Sequence, residues 1–205
     1  MTQTLLIATS NQGKLKEIRT LLSDLSFNVI DLNEAGLLEH IEESGNSFVE
    51  NASLKASGYA LRAGLLTLAD DSGLMIDALG GAPGIYSARY AGENSSDSER
   101  TRKVLAALAD VPETGRSARF VCAVAISDAA GKIIDVSVGE CRGRVAFRPD
   151  GEQGFGYDPI FIPDGYNVTF GKIDPVTKNR ISHRGRALAK SVMFLTSLTD
   201  TFADG

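Results

Sequence analysis

Short apolar runs alternate with segments of helical periodicity over the first seventy residues, and this alternation constrains the fold more than any other feature. TLLIA (4–8) has the length of a buried strand, and LKEIRTLL (15–22) repeats apolar residues with helical spacing. FNVI (27–30) predicts a second strand. A helix is predicted from about residue 48 to 63, and LLTLA (65–69) predicts a third strand that ends at two acids. The order βαβαβ indicates an α/β protein.

The second half of the chain extends this sheet. RFVCAVAIS (119–127) and KIIDVSV (132–138) alternate well enough to predict an antiparallel hairpin, and RGRVAF (142–147) predicts another strand. Helices are expected from about 97 to 109 and from about 181 to 198. A hairpin added to a βαβαβ unit makes a mixed sheet, so we predict an extended mixed β-sheet flanked by helices.

Composition and charge limit the partners. Twenty-one basic and 26 acidic residues give a net charge of -5, which argues against nonspecific binding to nucleic acid or to an anionic membrane. No apolar run approaches the roughly 18 residues of a membrane-spanning helix, and the N-terminal residues do not resemble a signal peptide. Cys122 and Cys141 lack CxxC spacing, so we expect reduced thiols and a cytoplasmic protein.

The polar segment TSNQGK (9–14) joins the first strand to the first helix. Backbone amides at a helix N-terminus favour an anion, Gly13 allows close approach, and Lys14 adds a full charge. The segment is not a P-loop, because it lacks the earlier glycine and the following Ser or Thr. A helix cap formed by Ser10 or Asn11 is an equally good interpretation of these residues alone.

Carboxylates recur at Glu42, Glu43, Asp70 and Asp71. Magnesium prefers oxygen ligands and commonly takes one or two carboxylates together with substrate phosphates. Acids that follow a strand would lie at the sheet edge where α/β proteins bind ligands. An acidic surface loop is the alternative interpretation.

Two later motifs suit recognition of a nucleobase. FGYD (155–158) carries an aromatic side chain between glycines, which is typical either of a stacking platform or of a core turn. SHRGRAL (182–188) places His183, Arg184 and Arg186 in the first turn of the last helix, where the helix dipole disfavours cations. These side chains can donate hydrogen bonds to a carbonyl or a phosphate, and Lys178 could join the same basic cluster. A solvated first turn with a separate exposed lysine is the alternative interpretation.

Taken together, TSNQGK, ADDSG, LGGAPGIYSARYAG, GFGYDPIF and SHRGRAL closely resemble the inosine triphosphate pyrophosphatases, which act on non-canonical purine nucleotides. The motifs occur in the family's order between residues 9 and 188. The resemblance implies a single two-lobed α/β domain over residues 1–205, with a substrate cleft, hydrolysis of dITP, ITP and XTP to the monophosphate and pyrophosphate, a Mg²⁺ cofactor and a homodimer.

The resemblance also implies roles for individual residues. Asp71 is the expected general base, and Glu42 and Asp71 are the expected metal ligands, with Glu43 as the alternative to Glu42. His183 and Arg184, as donors facing a 6-keto purine, would disfavour adenine. The residues expected to contact the substrate are Thr9, Ser10, Asn11, Gln12, Gly13, Lys14, Lys55, Ser72, Phe155, Gly156, Tyr157, Asp158, Lys178, His183 and Arg184.

Two other functions are compatible with parts of the pattern. A non-catalytic nucleotide-binding or sensing protein would keep the same cleft, although the intact set of acids argues against it. A Maf-like pyrophosphatase of modified nucleotides shares the architecture, but the SHR and FGYD motifs argue against that assignment.

Overall fold

The computed structural model describes residues 3–203, with side chains described as far as residue 198. The predicted domain over 1–205 therefore includes terminal residues outside the described range. The chain divides into two compact units, which are described separately below. Unit one comprises residues 1–71, 122–139 and 185–205, and unit two comprises residues 72–121 and 140–184.

In the described part of the chain, six strands form one sheet in the order β2-β1-β3-β4-β5-β6. Strand β1 pairs in parallel with β2 and β3, whereas β5 and β6 are antiparallel. The sheet is therefore mixed, as predicted. The strand bounds are β1 Gln3–Ile7, β2 Phe27–Asp31, β3 Leu66–Ile76, β4 Ser117–Ser127, β5 Ile133–Val145 and β6 Phe161–Pro163.

Over residues 3–203, five α-helices flank the sheet, and polar side chains fix where several of them begin. Asn11, Ser47, Ser96 and Asp174 each accept a hydrogen bond from a backbone N–H in the first turn of the following helix. Gly64 ends α2 in the left-handed conformation, at φ 65°. The helix bounds are α1 Gln12–Leu21, α2 Phe48–Ala63, α3 Asp97–Ala107, α4 Pro175–Ile181 and α5 His183–Ala203.

Unit one is held by an aliphatic core. Leu5, Leu6 and Ile7 are all fully buried, because β1 lies between two parallel neighbours and is covered on both faces. Apolar faces of α1 and α5 supply Ile18 and Leu188 to the same core cluster. Helix periodicity and a continuous apolar strand therefore predicted this core correctly.

Unit two has an aromatic core. Phe120 contacts Phe161 edge to face, with ring centroids 4.7 Å apart, and Phe161 lies 5.3 Å from Phe170. Strand β6, which carries Phe161, and helix α4 have no counterpart among the predicted elements, because each is short and follows a proline or glycine-rich segment.

Two predicted boundaries are wrong. Strand β3 does not end at Asp70 and Asp71 but continues to Ile76, with β4 as its neighbour in the sheet. KIIDVSV and RGRVAF belong to one strand, β5. The last predicted helix is confirmed by α5, which begins at His183, directly after Ser182 with extended backbone at ψ 159°.

Other predicted elements are confirmed. Adjacent strands β4 and β5 are joined by the short turn 128–132, as expected for a hairpin. Both cysteines are buried thiols. Within the described residues, none of the helices combines the length and the apolarity needed to span a membrane.

Candidate active site

Strand β3 separates the two neighbouring acids. Consecutive side chains of an extended strand point to opposite faces. The Asp70 Oδ2 atom lies 3.1 Å from Lys14 Nζ, whereas the Asp71 Oδ1 atom lies 3.8 Å from Lys55 Nζ. Each carboxylate is therefore balanced mainly by its own lysine, and the adjacent charges do not face each other.

An acid–lysine cluster, defined here as Glu43, Asn51, Lys55 and Asp71, surrounds the second acid in unit one. Lys55 Nζ donates to Glu43 Oε1 at 3.0 Å, and Asn51 Nδ2 donates to Asp71 Oδ2 at 3.2 Å. Asn51 and Lys55 are one turn apart on α2 and share a face. The amide oxygen of Asn51 also accepts from the Gly45 N–H at 2.8 Å, so α2 orients both the acidic segment and Asp71.

Burial and charge set the ionisation of this cluster. Burial raises the pKa of Asp71 to about 6, although Lys55 and Lys14 both oppose the shift. Burial alone would lower the pKa of Lys55, but the carboxylates of Asp71, Glu43 and Asp70 outweigh it and raise that pKa. At pH 7 Asp71 is thus mostly a carboxylate whose pKa lies close to neutral, as suits a group that accepts a proton.

The segment 9–14 forms the entrance to α1. Asn11 Oδ1 accepts from the Lys14 N–H at 3.0 Å, so the interpretation as a helix cap is confirmed. Ser10, Asn11 and Gln12 are exposed, whereas Thr9 and Gly13 are half-buried. The Lys14 side chain is held by Asp70 and remains 16% exposed. The cap and a local positive charge therefore coexist at this helix N-terminus.

The adjacent glutamates have different surroundings. Glu43 is half-buried and its carboxylate is engaged by Lys55, whereas Glu42 is exposed. Among residues 3–198, no group of three or more His, Cys, Asp or Glu side chains is arranged to hold a metal ion. Two carboxylates still suit a hard cation whose remaining ligands are phosphate oxygens and water.

An aromatic–basic cluster, defined here as Phe155, Asp158, Lys178, His183 and Arg184, lies in unit two. Asp158 Oδ2 accepts from Lys178 Nζ at 2.6 Å and from the Phe155 N–H at 2.8 Å. Lys178 Nζ and Arg184 Cζ lie 4.8 and 5.5 Å from the Phe155 ring centroid. Lys178 and Arg184, which the sequence analysis assigned to one basic cluster, thus both lie close to the Phe155 ring.

The four residues of FGYD have different environments. Phe155 and Gly156 are half-buried, whereas Tyr157 and Asp158 are buried. The Tyr157 hydroxyl donates to the Ser87 carbonyl at 2.9 Å, and burial raises the pKa of that hydroxyl. Tyr157 is therefore a core residue that anchors the turn, and Phe155 is the aromatic residue left accessible.

The start of α5 positions the other two members of the aromatic–basic cluster. The His183 ring stacks on Phe120, with centroids 4.5 Å apart and planes 8° apart. Arg184 donates to Ser72 Oγ at 2.9 Å, so β3 and α5 meet there. Both side chains are almost fully buried, with exposures of 4% and 2%. Arg186, in contrast, is exposed.

Sequence reasoning missed Asn51 and Phe120. Asn51 is fully buried on the face of α2 that also carries Ala52 and Ala56. A polar residue beside Lys55 on a largely apolar helical face is a signal that periodicity could have revealed. Phe120 resembles any other core residue of an alternating strand, so its contact with His183 required tertiary structure.

Comparisons with known proteins agree over most of the chain. The profile of the Ham1 family matches residues 5–194. A dITP/XTP pyrophosphatase of Oceanobacillus iheyensis is 46% identical over 187 residues, which cover 90% of this chain and 93% of that protein. A dITP/XTP pyrophosphatase of Desulforamulus reducens is 45% identical over 194 residues, covering 95% and 96%. The solved structure of a HAM1 protein from Coxiella burnetii superposes on this chain with a TM-score of 0.86 and is 43% identical in sequence. The superposition covers 96% of this chain and 100% of that protein.

Proposed function

The chain belongs to the Ham1 family, and on this basis we propose that it hydrolyses the non-canonical purine nucleoside triphosphates dITP, ITP and XTP to the monophosphate and pyrophosphate. It is a hydrolase that acts on acid anhydrides. The observation that carries this function is its similarity, along nearly the whole chain, to dITP/XTP pyrophosphatases. Removal of deaminated purines from the nucleotide pool follows from that reaction.

The phosphate groups would bind to residues of unit one. The α-phosphorus of a triphosphate is shielded by negative oxygens, so charge must be neutralised before water attacks. Lys14 and Lys55 carry that positive charge, and the N-terminus of α1 adds its dipole. The segment from Thr9 to Lys14, with the side chains of Ser10, Asn11 and Gln12 exposed, supplies further donors.

Asp71 is the proposed general base. One oxygen of its carboxylate would take a proton from water, whose oxygen attacks the α-phosphorus while the bond between the α-phosphorus and the α–β bridging oxygen breaks and pyrophosphate leaves. Asn51 holds the other carboxylate oxygen, so the orientation of Asp71 is set by α2. Its pKa near 6 leaves the base ionised at neutral pH.

We propose Mg²⁺ as the cofactor, with Asp71 and Glu42 as its protein ligands. When bound, it would neutralise phosphate oxygens and stabilise the charge on the leaving pyrophosphate. Glu42 fits this role because its carboxylate is exposed, whereas Glu43 is already paired with Lys55. The exposed acid can be recruited without removing the partner of a buried ammonium group.

The purine would be recognised by the aromatic–basic cluster of unit two. Phe155 offers an accessible ring, and His183, Arg184 and Lys178 offer donors to a 6-keto oxygen. Adenine presents an amino donor at that position, and a buried donor that faces it is left unsatisfied, which costs roughly 1–3 kcal/mol. Ser72, which follows Asp71 in the chain, accepts a hydrogen bond from Arg184 and is also proposed to contact the substrate.

Three features of the protein stay predictions, the first two from the resemblance and the third from composition. These are a single two-lobed domain with a substrate cleft, a homodimer, and a cytoplasmic location without nucleic-acid or membrane partners. Two buried thiols and a net charge of -5 support the last of them. Light scattering on the purified chain, and its distribution between cell fractions, would test the dimer and the location.

A substrate panel tests the proposed function. We expect pyrophosphate release from dITP, ITP and XTP at least tenfold faster than from dATP or dGTP, as measured by a coupled phosphate assay with and without Mg²⁺. Saturable ITP binding without product would favour a nucleotide-binding protein instead. Preference for a modified pyrimidine triphosphate would favour a Maf-like pyrophosphatase.

Paired variants test the metal ligands. Glu42→Gln should raise the Mg²⁺ concentration needed for half-maximal activity by about tenfold, because it removes a carboxylate ligand. Glu43→Gln should instead lower thermal stability, because it removes the partner of buried Lys55. The reverse pattern would assign the metal to Glu43.

A further inference from the structure

The first turn of α3 contacts the FGYD turn of unit two. Asp97, the first residue of α3, accepts a hydrogen bond from the Gly156 N–H through Oδ2 at 2.6 Å. Thr101, one turn further along α3, donates to the Gly156 carbonyl at 3.4 Å. One helix therefore holds both peptide groups of the residue that follows Phe155.

The Asp97 carboxylate is itself held in place. Its other oxygen, Oδ1, is paired with the Arg100 guanidinium. Arg100 also donates to the Ser95 and Ala88 carbonyls, the latter at 3.0 Å. Because these contacts fix the guanidinium, they orient the carboxylate toward Gly156.

The hydrogen bond to Asp97 is made by a residue of the FGYD turn, Gly156, whose backbone has considerable conformational freedom. Gly156 adopts φ 62°, and a Cβ added there would meet nothing within 4 Å, so packing does not restrain it. A glycine populates many conformations unless hydrogen bonds select one. Phe155 is restrained from its own side by Asp158, which leaves the Gly156 peptide as the second determinant of its direction.

We propose that Asp97 is a positioning residue that fixes the Phe155–Gly156 turn in the conformation that receives the purine. It acts through Gly156 and has no contact with the reacting phosphate. This inference rests on the proposed function, since it assigns Phe155 to the base of the substrate. It predicts that Asp97 influences base binding and leaves phosphate binding and the chemical step unchanged.

Steady-state kinetics of Asp97 variants test the proposal. Asp97→Ala should raise KM for dITP by about tenfold with kcat within twofold of the parent. In Asp97→Asn, KM for dITP should stay within threefold of the parent value, because the side-chain amide oxygen can still accept a hydrogen bond from the Gly156 N–H. The inhibition constant of inorganic tripolyphosphate, which lacks a base, should be unchanged in both variants.

Glu99→Ala is the matched control. Glu99 completes the capping box of the same helix turn through Ser96 and has no contact with Gly156 among the described hydrogen bonds. An equal KM increase in Glu99→Ala would show that fraying of α3, and not the Gly156 contact, is responsible. Unchanged KM in Asp97→Ala would also overturn the proposal. Failure of the parent protein to hydrolyse dITP would instead refute the proposed function.

Discussion

Asp71 combines burial with the negative charge that its proposed role as general base requires. The carboxylate is buried, and this burial outweighs the attraction of two lysines, so that its pKa rises to about 6. Asp70, its neighbour, is more deeply buried and pairs with Lys14 on the other face of β3. The two acids are chemically identical but face different partners.

We expect Asp71→Asn to abolish turnover and to stabilise the fold above pH 6. The native state binds the Asp71 proton more tightly than the unfolded chain between pH 3.8 and about 6. Stability attributable to Asp71 therefore falls as pH rises through this window, by up to about 3 kcal/mol. Urea unfolding should show a gain in the variant at pH 8 that disappears at pH 4, and turnover should fall at least a hundredfold.

Asp70→Asn provides the contrast. It leaves the largely buried Lys14 ammonium without its ion pair, and breaking such a pair typically destabilises by about 3–5 kcal/mol. The free energy of unfolding at pH 7 should therefore fall in Asp70→Asn, opposite in sign to the Asp71→Asn change. Changes of the same sign in both variants would contradict the assignment of the two acids to different faces.

At the scale of elements, the candidate site depends on where strand β3 ends and where helix α5 begins, and local sequence patterns did not locate the first of these boundaries accurately. Strand β3 continues through the acids, so Asp70 and Asp71 have the strict alternation of a strand and not the freedom of a turn. Ser182 interrupts the last helical segment, so His183 opens a separate helix whose first turn carries the donors proposed to recognise the base. Both features place charged side chains on defined faces.

The FGYD turn gives an element-scale prediction. A Cβ added to Gly154, at φ 79°, would lie 2.1 Å from Asp158 Oδ2. Gly154→Ala must therefore displace the carboxylate that holds Lys178 and Phe155, and we expect KM for dITP to rise at least tenfold. Gly156→Ala, which has a similar φ but open space around the Cβ, should have the smaller effect. Equal KM values in the two variants would contradict this role of Asp158.

At the scale of the whole molecule, each compact unit has its own core and its own set of functional side chains. Unit one carries the lysines and carboxylates proposed for the phosphates, and unit two carries the aromatic–basic cluster proposed for the base. The polypeptide passes from one unit to the other between Asp71 and Ser72, so two adjacent residues contribute to the two sets.

Ligand-induced stabilisation tests the protein as a whole. A non-hydrolysable ITP analogue with Mg²⁺, at about a hundred times its Kd, should stabilise the fold by about 2.7 kcal/mol, because it binds only the native state. For a chain of 205 residues this corresponds to an increase in Tm of roughly 5–10 °C. The corresponding ATP analogue should give a smaller increase at the same concentration. Equal increases would contradict selection by the 6-keto group.

Sequence by itself determined the α/β class, most helix and strand positions and the family. Hydrophobic periodicity and helix caps are local signals, and five ordered motifs identify a family without coordinates. The residues that carry the proposed chemistry were recognised in the same way, including Asp71, Lys55, His183 and Arg184.

Only the tertiary structure decided how those residues are paired. The ion pairs of Lys14 with Asp70 and of Lys55 with Glu43, the buried Asn51 beside Asp71, and the Asp97–Gly156 contact join positions that are 12 to 59 residues apart along the chain. Local patterns do not encode which distant side chains meet. The pKa of Asp71 depends on those meetings, because burial and neighbouring charge exist only once the chain has folded.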